Sequence, residues 1–353
     1  MYSVPTWRPD ITRDVDLVEE AARLYGYEKI VTAGEIRLIF RENAPTSDLS
    51  DLIREYLSSS GFREIITNSM SDRDTAFHPE AVPVILANPI SLDMAALRTS
   101  LLQGLLSTIK HNLFHGIESS RFYEIGKVFR MNPSADPETV RGYYEEERLC
   151  LAVYGLESPV HWEEKPQKAT IFTLKGEANA LLRKISLDNS RYIPYPTPTA
   201  LSERSIFIEI KGERVGSLGS VSSELLKRYD IDTGVFFLDL SLDKLRASRG
   251  AGLTFRPYSR FPAVRRDLAV IVDESVTIGE IEEAIRAVAG PMLREIILFD
   301  IFRGEQAGPG KKSCAFSLEF VPESCTLEQQ DILELMGGVT EKLKSSLGAV
   351  LRQ

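Results

Sequence analysis

Four acidic side chains near the start of the chain have the spacing and chemistry of a cation site. Asp10 and Asp16 belong to a predicted turn, and Glu19 and Glu20 follow at the start of a predicted helix. Mg²⁺ and Ca²⁺ take oxygen ligands, so converging carboxylates could hold one such ion. Acids also stabilise a helix N-terminus with no metal present. The spacing alone therefore leaves a metal site and a structural acidic turn open.

A group of basic residues could bind nucleic acid. Four arginines and no acid occur between residues 256 and 266, and Lys311 with Lys312 forms a smaller cluster. Arginines contact phosphates and stack on unpaired bases, but they also pair with acids of a neighbouring domain. The net charge of −9 argues against a protein that coats DNA, because such binding draws on a basic excess. A local RNA contact stays open.

Two further motifs have simpler structural explanations. His111 and His115 have the helical spacing of zinc ligands but lack a glutamate beside the first histidine and a third ligand nearby. The glycine- and lysine-rich segment 308–312 joins two predicted strands, which favours a hairpin loop over a phosphate loop. No nucleophile with a neighbouring base is evident in the sequence.

Hydrophobic periodicity predicts the elements that position these residues. Apolar residues recur at helical spacing before Gly26 and again over 101–113, whereas 211–214 is typical of a hairpin turn. The polar segment 132–147 is predicted to be an exposed loop. Strands are predicted over 62–69, 84–87, 122–129, 148–154, 206–210, 215–218 and 236–240, and another helix over 173–185. The middle of the chain is therefore a mixed or antiparallel sheet with helices.

The last hundred residues have the clearest pattern. Strands over 266–273, 295–303 and 313–321 alternate with two helices, of which Thr277 and Glu280 cap the first and Thr326 with Gln329 opens the second. A short strand over 349–352 completes a β-α-β-β-α-β order, which is the ferredoxin-like pattern. The overall prediction is an α+β protein. A glycine-flanked connection at 250–252 predicts that this last unit swings.

Composition sets broad limits on the protein. A chain of 353 residues with 43% hydrophobic and 26% charged residues is typical of a soluble protein of two or three domains. Its three widely spaced cysteines favour a reducing cytoplasm. The sequence contains no run of about 18 apolar residues, so we expect no membrane-spanning helix. The chain opens in strand-like sequence, so we expect a piece of a longer protein.

Three groups of segments carry a family resemblance. They are 7–10 with 16–27; 88–91 with 97–102 and 122–129; and 260–269, which reads Arg260-Phe261-Pro262-Ala263-Val264-Arg265-Arg266-Asp267-Leu268-Ala269, with 298–300 and 310–313. Together they resemble the C-terminal part of the β subunit of bacterial phenylalanyl-tRNA synthetase. The resemblance covers nearly the whole chain.

The resemblance implies three domains and two partners. Residues 1–40 would end a winged-helix-like domain of the B5 type, 41–250 would form a class II synthetase-like module, and 255–353 would form a ferredoxin-like anticodon-binding domain. The partners would be the catalytic α subunit and tRNA-Phe, in support of ATP-dependent aminoacylation. The family's Mg²⁺ site maps onto Asp10, Asp16, Glu19 and Glu20. By position, the RNA contacts would be Arg260, Arg265, Arg266, Arg303, Lys311 and Lys312.

The class II-like module departs from the catalytic pattern. The family signature Arg-x-Glu has one residue too many here, in Arg121-Phe122-Tyr123-Glu124, and Ser202-Glu203-Arg204 has no glycine run before it. The groups that clamp a triphosphate are therefore not assembled, and the module is predicted to be non-catalytic. Two alternatives are a free-standing oligomeric scaffold or regulator that reuses synthetase folds and, less favoured, a metal-dependent enzyme centred on the four acids.

Overall fold

The computed structural model divides the chain into two units, residues 1–47 and 48–353. In the first unit, helix α1 (Asp14–Tyr25) ends at Gly26, whose positive φ of 98° is a conformation that favours glycine. This confirms the predicted helix and its stop. The structure describes residues 3–31, 48–73, 81–132, 134, 142–158, 160–187, 190–195, 199, 201–249, 259–304, 307–322 and 329–352.

A seven-stranded sheet organises residues 48–249. In chain order the elements are α2 (Leu49–Ser59), β1 (Arg63–Glu64), β2 (Met70–Ser71), β3 (Ala96–Leu97), α3 (Leu102–Phe114), β4 (Ser120–Met131), β5 (Tyr143–Tyr154), α4 (Ile171–Lys184), β6 (Ser190–Tyr195), β7 (Ser202–Ile210), β8 (Glu213–Val221), α5 (Ser223–Arg228), β9 (Val235–Ser241) and α6 (Leu242–Ser248). The sheet order is β1-β4-β5-β9-β8-β7-β6, with β2 and β3 forming a separate pair. Only the β1–β4 pair among these seven is parallel, so the predicted mixed sheet is confirmed.

Two hydrophobic cores lie on opposite faces of this sheet. One core packs apolar side chains of α2, α4 and α6 against the strands. The other packs α3, with partly buried side chains of α5, against the opposite face. Side chains alternate between faces along a strand, so Tyr123 enters the first core and Phe122 the second.

The prediction of an exposed loop over 132–147 is wrong at its C-terminal end. Residues from Tyr143 onward belong to β5 and pair with β4. Lys127 forms an ion pair with Glu145, with Nζ and Oε2 2.6 Å apart, and Arg130 pairs with Glu146. Opposite charges on neighbouring strands stabilise the pairing of two polar strands. A polar composition alone does not show that a segment has such a partner strand. The predicted strand over 84–87 is reduced to an isolated bridge of Ile85.

The ferredoxin-like prediction is confirmed. Its elements are β10 (Val264–Asp273), α7 (Ile278–Ala289), β11 (Leu293–Phe302), β12 (Lys311–Phe320), α8 (Gln329–Leu347) and β13 (Val350–Leu351). The sheet order is β11-β12-β10-β13, and α7 and α8 pack on one face. Thr277 and Glu280 form the predicted capping box, whereas Thr326 lies outside the described residues. No helix in the described ranges is both long and apolar enough to cross a membrane.

Candidate functional site

The four-stranded sheet presents one face that neither of its helices covers. Strand side chains alternate between faces, and the core takes Val270, Phe316 and Leu318. The intervening positions of β10 and β12 lie opposite one another in register on the other face. These open-face pairs are Arg265 with Glu319, Asp267 with Ser317, Ala269 with Ala315, and Ile271 with Ser313. The centre of this open face is therefore made of small and polar side chains.

Aromatic side chains of β11 border the open face. Phe299 is 58% exposed at a bulge in the β11–β12 ladder, and Phe302 is 37% exposed opposite Ser313. The guanidinium carbon of Arg352 lies 5.5 Å from the Phe302 ring centroid, and Arg352 Nη1 donates to Ser313 Oγ over 3.4 Å. These aromatic and guanidinium planes are suited to stacking on unpaired bases.

Sequence reasoning missed these aromatic positions. The predicted strand over 295–303 contained both phenylalanines, but residues three apart on a regular strand point to opposite faces. The bulge between Leu298 and Asp300, which changes this alternation, has no signal in the sequence. The Phe302 ring contacts the side chain of Arg352, which lies about fifty residues later in the chain. No spacing rule connects the two.

A carboxylate orients two arginines at one end of the open face. Arg265 Nε and Nη2 each lie 3.1 Å from Glu319 Oε1. Arg294 Nε lies 3.8 Å from Glu319 Oε2. Both arginine side chains are largely exposed, whereas Glu319 is mostly covered. The carboxylate thus fixes two cationic planes in positions that a phosphate or base could reach.

The other predicted RNA contacts lie elsewhere. Arg303 forms an ion pair with Glu274, with Nη2 and Oε1 2.8 Å apart, and Lys312 Nζ donates to the Glu274 carbonyl over 2.9 Å. Lys312 is only 7% exposed, so its ammonium group is mainly an internal donor. Arg260 and Lys311 are exposed, and Arg266 Nη1 donates to the Arg265 carbonyl over 2.8 Å. The six residues therefore do not form one cluster, because the Arg303–Lys312 and Arg265–Glu319 groups lie at opposite ends of β12.

Three of the four acids of the first unit form hydrogen bonds with neighbouring residues. Arg8 Nη2 lies 2.7 Å from Asp10 Oδ2 and 2.6 Å from Glu20 Oε1, and these hydrogen bonds lower the pKa of both carboxyls. The backbone N–H groups of Thr12 and Arg13 donate to Asp16 at 2.9 and 2.8 Å, which lowers its pKa as well. Glu19 is exposed. The contacts are those of a capped helix start.

The donor chemistry of these acids suits a hard cation, but their arrangement does not. Within the described ranges, no three side chains of histidine, cysteine, aspartate or glutamate converge as metal ligands. The positive charge of Arg8 occupies the position between Asp10 and Glu20 that a cation would need. As arranged here, the residues do not fit a bound Mg²⁺ ion.

The seven-stranded sheet separates the Arg121 and Glu124 side chains. Arg121 Nη1 lies 3.1 Å from Glu177 Oε1 of α4. Glu124 is 1% exposed on the other face, where it accepts hydrogen bonds of 2.7 Å from Arg98 Nη1 and Thr67 Oγ1. Residues three apart on a strand point to opposite faces. This pair therefore cannot converge on one ligand.

Comparisons with known proteins give matches along the whole chain. The family model described as "Phenylalanyl tRNA synthetase beta chain CLM domain" matches residues 31–242. Residues 259–352 match "Ferredoxin-fold anticodon binding domain", and residues 1–27 match "tRNA synthetase B5 domain".

Curated relatives carry the name phenylalanine–tRNA ligase beta subunit. The protein from Salinibacter ruber is 35% identical over 99% of this chain and 44% of its own length. The protein from Bacillus subtilis is 34% identical over 100% of this chain and 44% of its own length. The chain thus spans less than half the length of these relatives. A crystal structure of pyrrolysyl-tRNA synthetase from Desulfitobacterium hafniense aligns with 56% of this chain and 67% of its own, at 15% identity and a TM-score of 0.43, too distant to carry an argument.

Proposed function

The chain belongs to the phenylalanyl-tRNA synthetase β-chain family, and we propose that it works within a phenylalanine–tRNA ligase by packing on the catalytic α subunit and binding tRNA-Phe. The observation that carries this proposal is the 35% identity over 99% of the chain to a β subunit of that ligase. We divide the chain into a B5-type segment at 1–40, a class II-like module at 41–250 and an anticodon-binding domain at 255–353. The chain supports ATP-dependent aminoacylation in the cytoplasm without catalysing it.

The separation of Arg121 and Glu124 supports a non-catalytic role for the middle module. Each side chain is neutralised by a partner on its own face of the sheet, Glu177 for Arg121 and Arg98 for Glu124. A triphosphate clamp needs preorganised groups aimed at the same ligand. The module therefore contributes a packing surface for the catalytic subunit.

The open face of the ferredoxin-like domain is the proposed tRNA surface. Single-stranded RNA is bound through bases stacked on aromatic or guanidinium planes and through phosphates held by cations. Phe299 and the Phe302–Arg352 pair offer the planes, and Arg265 offers a cation at the Glu319 end of the same face. Arg260, Arg266, Arg303 and Lys311 would contact flanking phosphates, with Lys312 supporting the hairpin.

Binding of tRNA across a salt series tests this function. We expect tRNA-Phe to bind more tightly than a non-cognate tRNA, and Phe299→Ala to weaken binding by about 1–3 kcal/mol, the value of one stacked base. The matched control is Phe172→Ala, which removes a ring that is 72% exposed on α4. Arg265→Ala with Arg266→Ala should reduce the salt slope by about one for each phosphate that the chain no longer binds. If Phe299→Ala and Phe172→Ala weaken tRNA-Phe binding equally, the open face is not the tRNA-binding surface.

Magnesium binding by the four acids stays a separate proposal that requires a rearrangement. Asp10, Asp16, Glu19 and Glu20 could meet around one ion only after Arg8 releases Asp10 and Glu20. We therefore expect Arg8→Ala to bind Mg²⁺ more tightly than the unchanged chain in calorimetric titration. Arg13→Ala, which removes the Arg13–Asp16 pair but leaves the Arg8 pairs, is the control. A chain that binds Mg²⁺ equally well with and without Arg8 would contradict this.

A further inference from the structure

Two histidines at the C-terminal end of α3 form a close pair that has no role in the function proposed above. His111 belongs to the last turn of the helix, and His115 is its C-terminal cap residue. Their ring centroids lie 4.3 Å apart, with an angle of 37° between the ring planes. Side chains four residues apart on a helix are neighbours on one face, and both of these are exposed. The two imidazoles are therefore close enough to act on one ligand from solvent.

A hydrogen bond of His115 decides which of its ring nitrogens is available. His115 Nδ1 lies 2.7 Å from the His111 carbonyl oxygen. A carbonyl oxygen can only accept a hydrogen bond, so Nδ1 is the donor and carries the proton. In the neutral ring, Nε2 then keeps its lone pair. Histidines that bind metals commonly donate their second ring nitrogen to a carbonyl in this way, so the orientation of His115 adds evidence that the spacing of the pair lacked.

The nitrogens that would bind a metal have no competing partner in the part of the chain that the structure describes. There, the His111 ring and His115 Nε2 form neither a hydrogen bond nor an ion pair, and their other contacts are between rings. The neighbouring cation Lys110 pairs with Asp230 instead, with Nζ and Oδ2 2.6 Å apart. A metal ion could therefore bind the pair without displacing an existing contact.

The surroundings of the pair favour a positive charge. The C-terminal end of a helix carries a partial negative charge, and α3 is 13 residues long. His111 also lines a cavity of about 450 Å³ whose lining includes the carboxylate of Asp93. The guanidinium of Arg98 lines the same cavity, but it pairs with the buried Glu124. A cation beside His111 is therefore stabilised by the helix end and by a nearby acid.

We propose that His111 and His115 chelate a divalent transition-metal ion such as Zn²⁺. Imidazole nitrogens suit Zn²⁺, Ni²⁺ and Cu²⁺, whereas Mg²⁺ takes oxygen ligands. Within the described ranges, no third histidine, cysteine or carboxylate converges with this pair. Water would therefore complete the tetrahedral shell of Zn²⁺. The site differs in its ligands and in its metal from the four acids of the first unit.

A zinc titration followed by NMR tests the site. The chain is titrated with zinc chloride and, as the matched control, with magnesium chloride, and the ring Cε1–H signals of the histidines are followed. We expect the signals of His111 and His115 to change together and to saturate with a single Zn²⁺ ion, and not to respond to Mg²⁺. His161, which lies in a loop, should not respond to either ion. No response of the pair to Zn²⁺, or an equal response of His161, would overturn the proposal.

Single and double variants distinguish a chelate from two independent weak sites. We expect His111→Ala and His115→Ala each to weaken Zn²⁺ binding by more than about tenfold, because even outer-shell partners of a metal change its affinity by about 10–100-fold. The double variant should bind no more weakly than either single variant, since one remaining histidine cannot chelate. His161→Ala is the matched control and should leave the affinity unchanged.

His115→Phe separates metal binding from ring packing. The phenylalanine keeps an aromatic ring beside His111 but supplies no nitrogen, so this variant should bind Zn²⁺ as weakly as His115→Ala. Circular dichroism verifies that each variant is folded. A folded single variant that binds Zn²⁺ as tightly as the unchanged chain would reject the site. Losses that add in the double variant would show two separate ligands instead of one chelate.

Discussion

At the scale of single residues, the buried pair of Arg98 and Glu124 anchors the second core. Arg98 Nε donates to the Lys127 carbonyl over 2.9 Å, and its Nη1 lies 2.7 Å from Glu124 Oε1. Thr67 donates to the same carboxylate through its hydroxyl at 2.7 Å and its backbone N–H at 3.1 Å. These buried hydrogen bonds connect the segment that contains Thr67, the end of β3 and strand β4.

Breaking this pair should be costly because one charge would stay buried without its partner. We expect Arg98→Ala to lower the free energy of unfolding by about 3–5 kcal/mol, measured by urea denaturation. Lys110→Ala removes an exposed ion pair with Asp230 and should cost less than about 1 kcal/mol. Similar losses for both variants would contradict the stabilising role of the buried pair.

At the scale of elements, local sequence signals set the ends of α7. The Thr277 hydroxyl accepts from the Glu280 backbone N–H over 3.3 Å, and the Glu280 carboxylate accepts from the Thr277 N–H over 2.7 Å. The helix ends at Gly290, where φ is 58°. Ile281 and Ile285 then face the core of the ferredoxin-like fold. The capping residues and the buried apolar face therefore indicate the same helix, and the prediction of α7 is confirmed.

Loss of the cap should be measurable without loss of the fold. We expect Thr277→Ala to lower the free energy of unfolding by about 1 kcal/mol, because the Glu280 N–H loses its partner. Thr277→Ser keeps the hydroxyl and should restore most of this stability. Thermal denaturation followed by circular dichroism measures both. If the serine variant is as unstable as the alanine variant, the cap hydrogen bond does not account for the loss.

At the scale of the whole second unit, the described residues include an ion pair between the seven-stranded sheet and the ferredoxin-like domain. Arg191 of β6 pairs with Glu283 of α7, and both side chains are more than half exposed. Nearby, burial raises the pKa of Glu282, although Arg286 and Lys175 oppose the shift. The predicted glycine hinge at 250–252 lies outside the described residues, so its mobility stays a prediction.

An exposed ion pair contributes at most about 1 kcal/mol, so this contact should open readily. We expect small-angle scattering of the unchanged chain to require more than one conformer, and Arg191→Glu to increase the open fraction. Arg191→Glu combined with Glu283→Arg should restore the original distribution. Lys110→Glu, which breaks an exposed pair within the sheet module, is the control. A single rigid conformer for every variant would contradict the hinge prediction.

The sequence by itself determined the elements whose signals are local. Helix α1 and its end at Gly26, the capping box of α7, and the strand alternation of β12 all depend on residues within a few positions of one another. The predicted β-α-β-β-α-β order and the family resemblance also depend on such local sequence signals. They are readable because capping and periodicity are properties of neighbouring residues.

Only the tertiary structure decided which side chains meet. Arg8 reaches Asp10 and Glu20, so a guanidinium lies between two acids that spacing alone could place around a metal ion. Arg352 reaches Phe302 because β10, β12 and β11 lie side by side in the sheet. Lys312, a predicted RNA contact, is turned into the fold. Strand register and helix packing set these contacts between distant residues, and neither is encoded in local spacing.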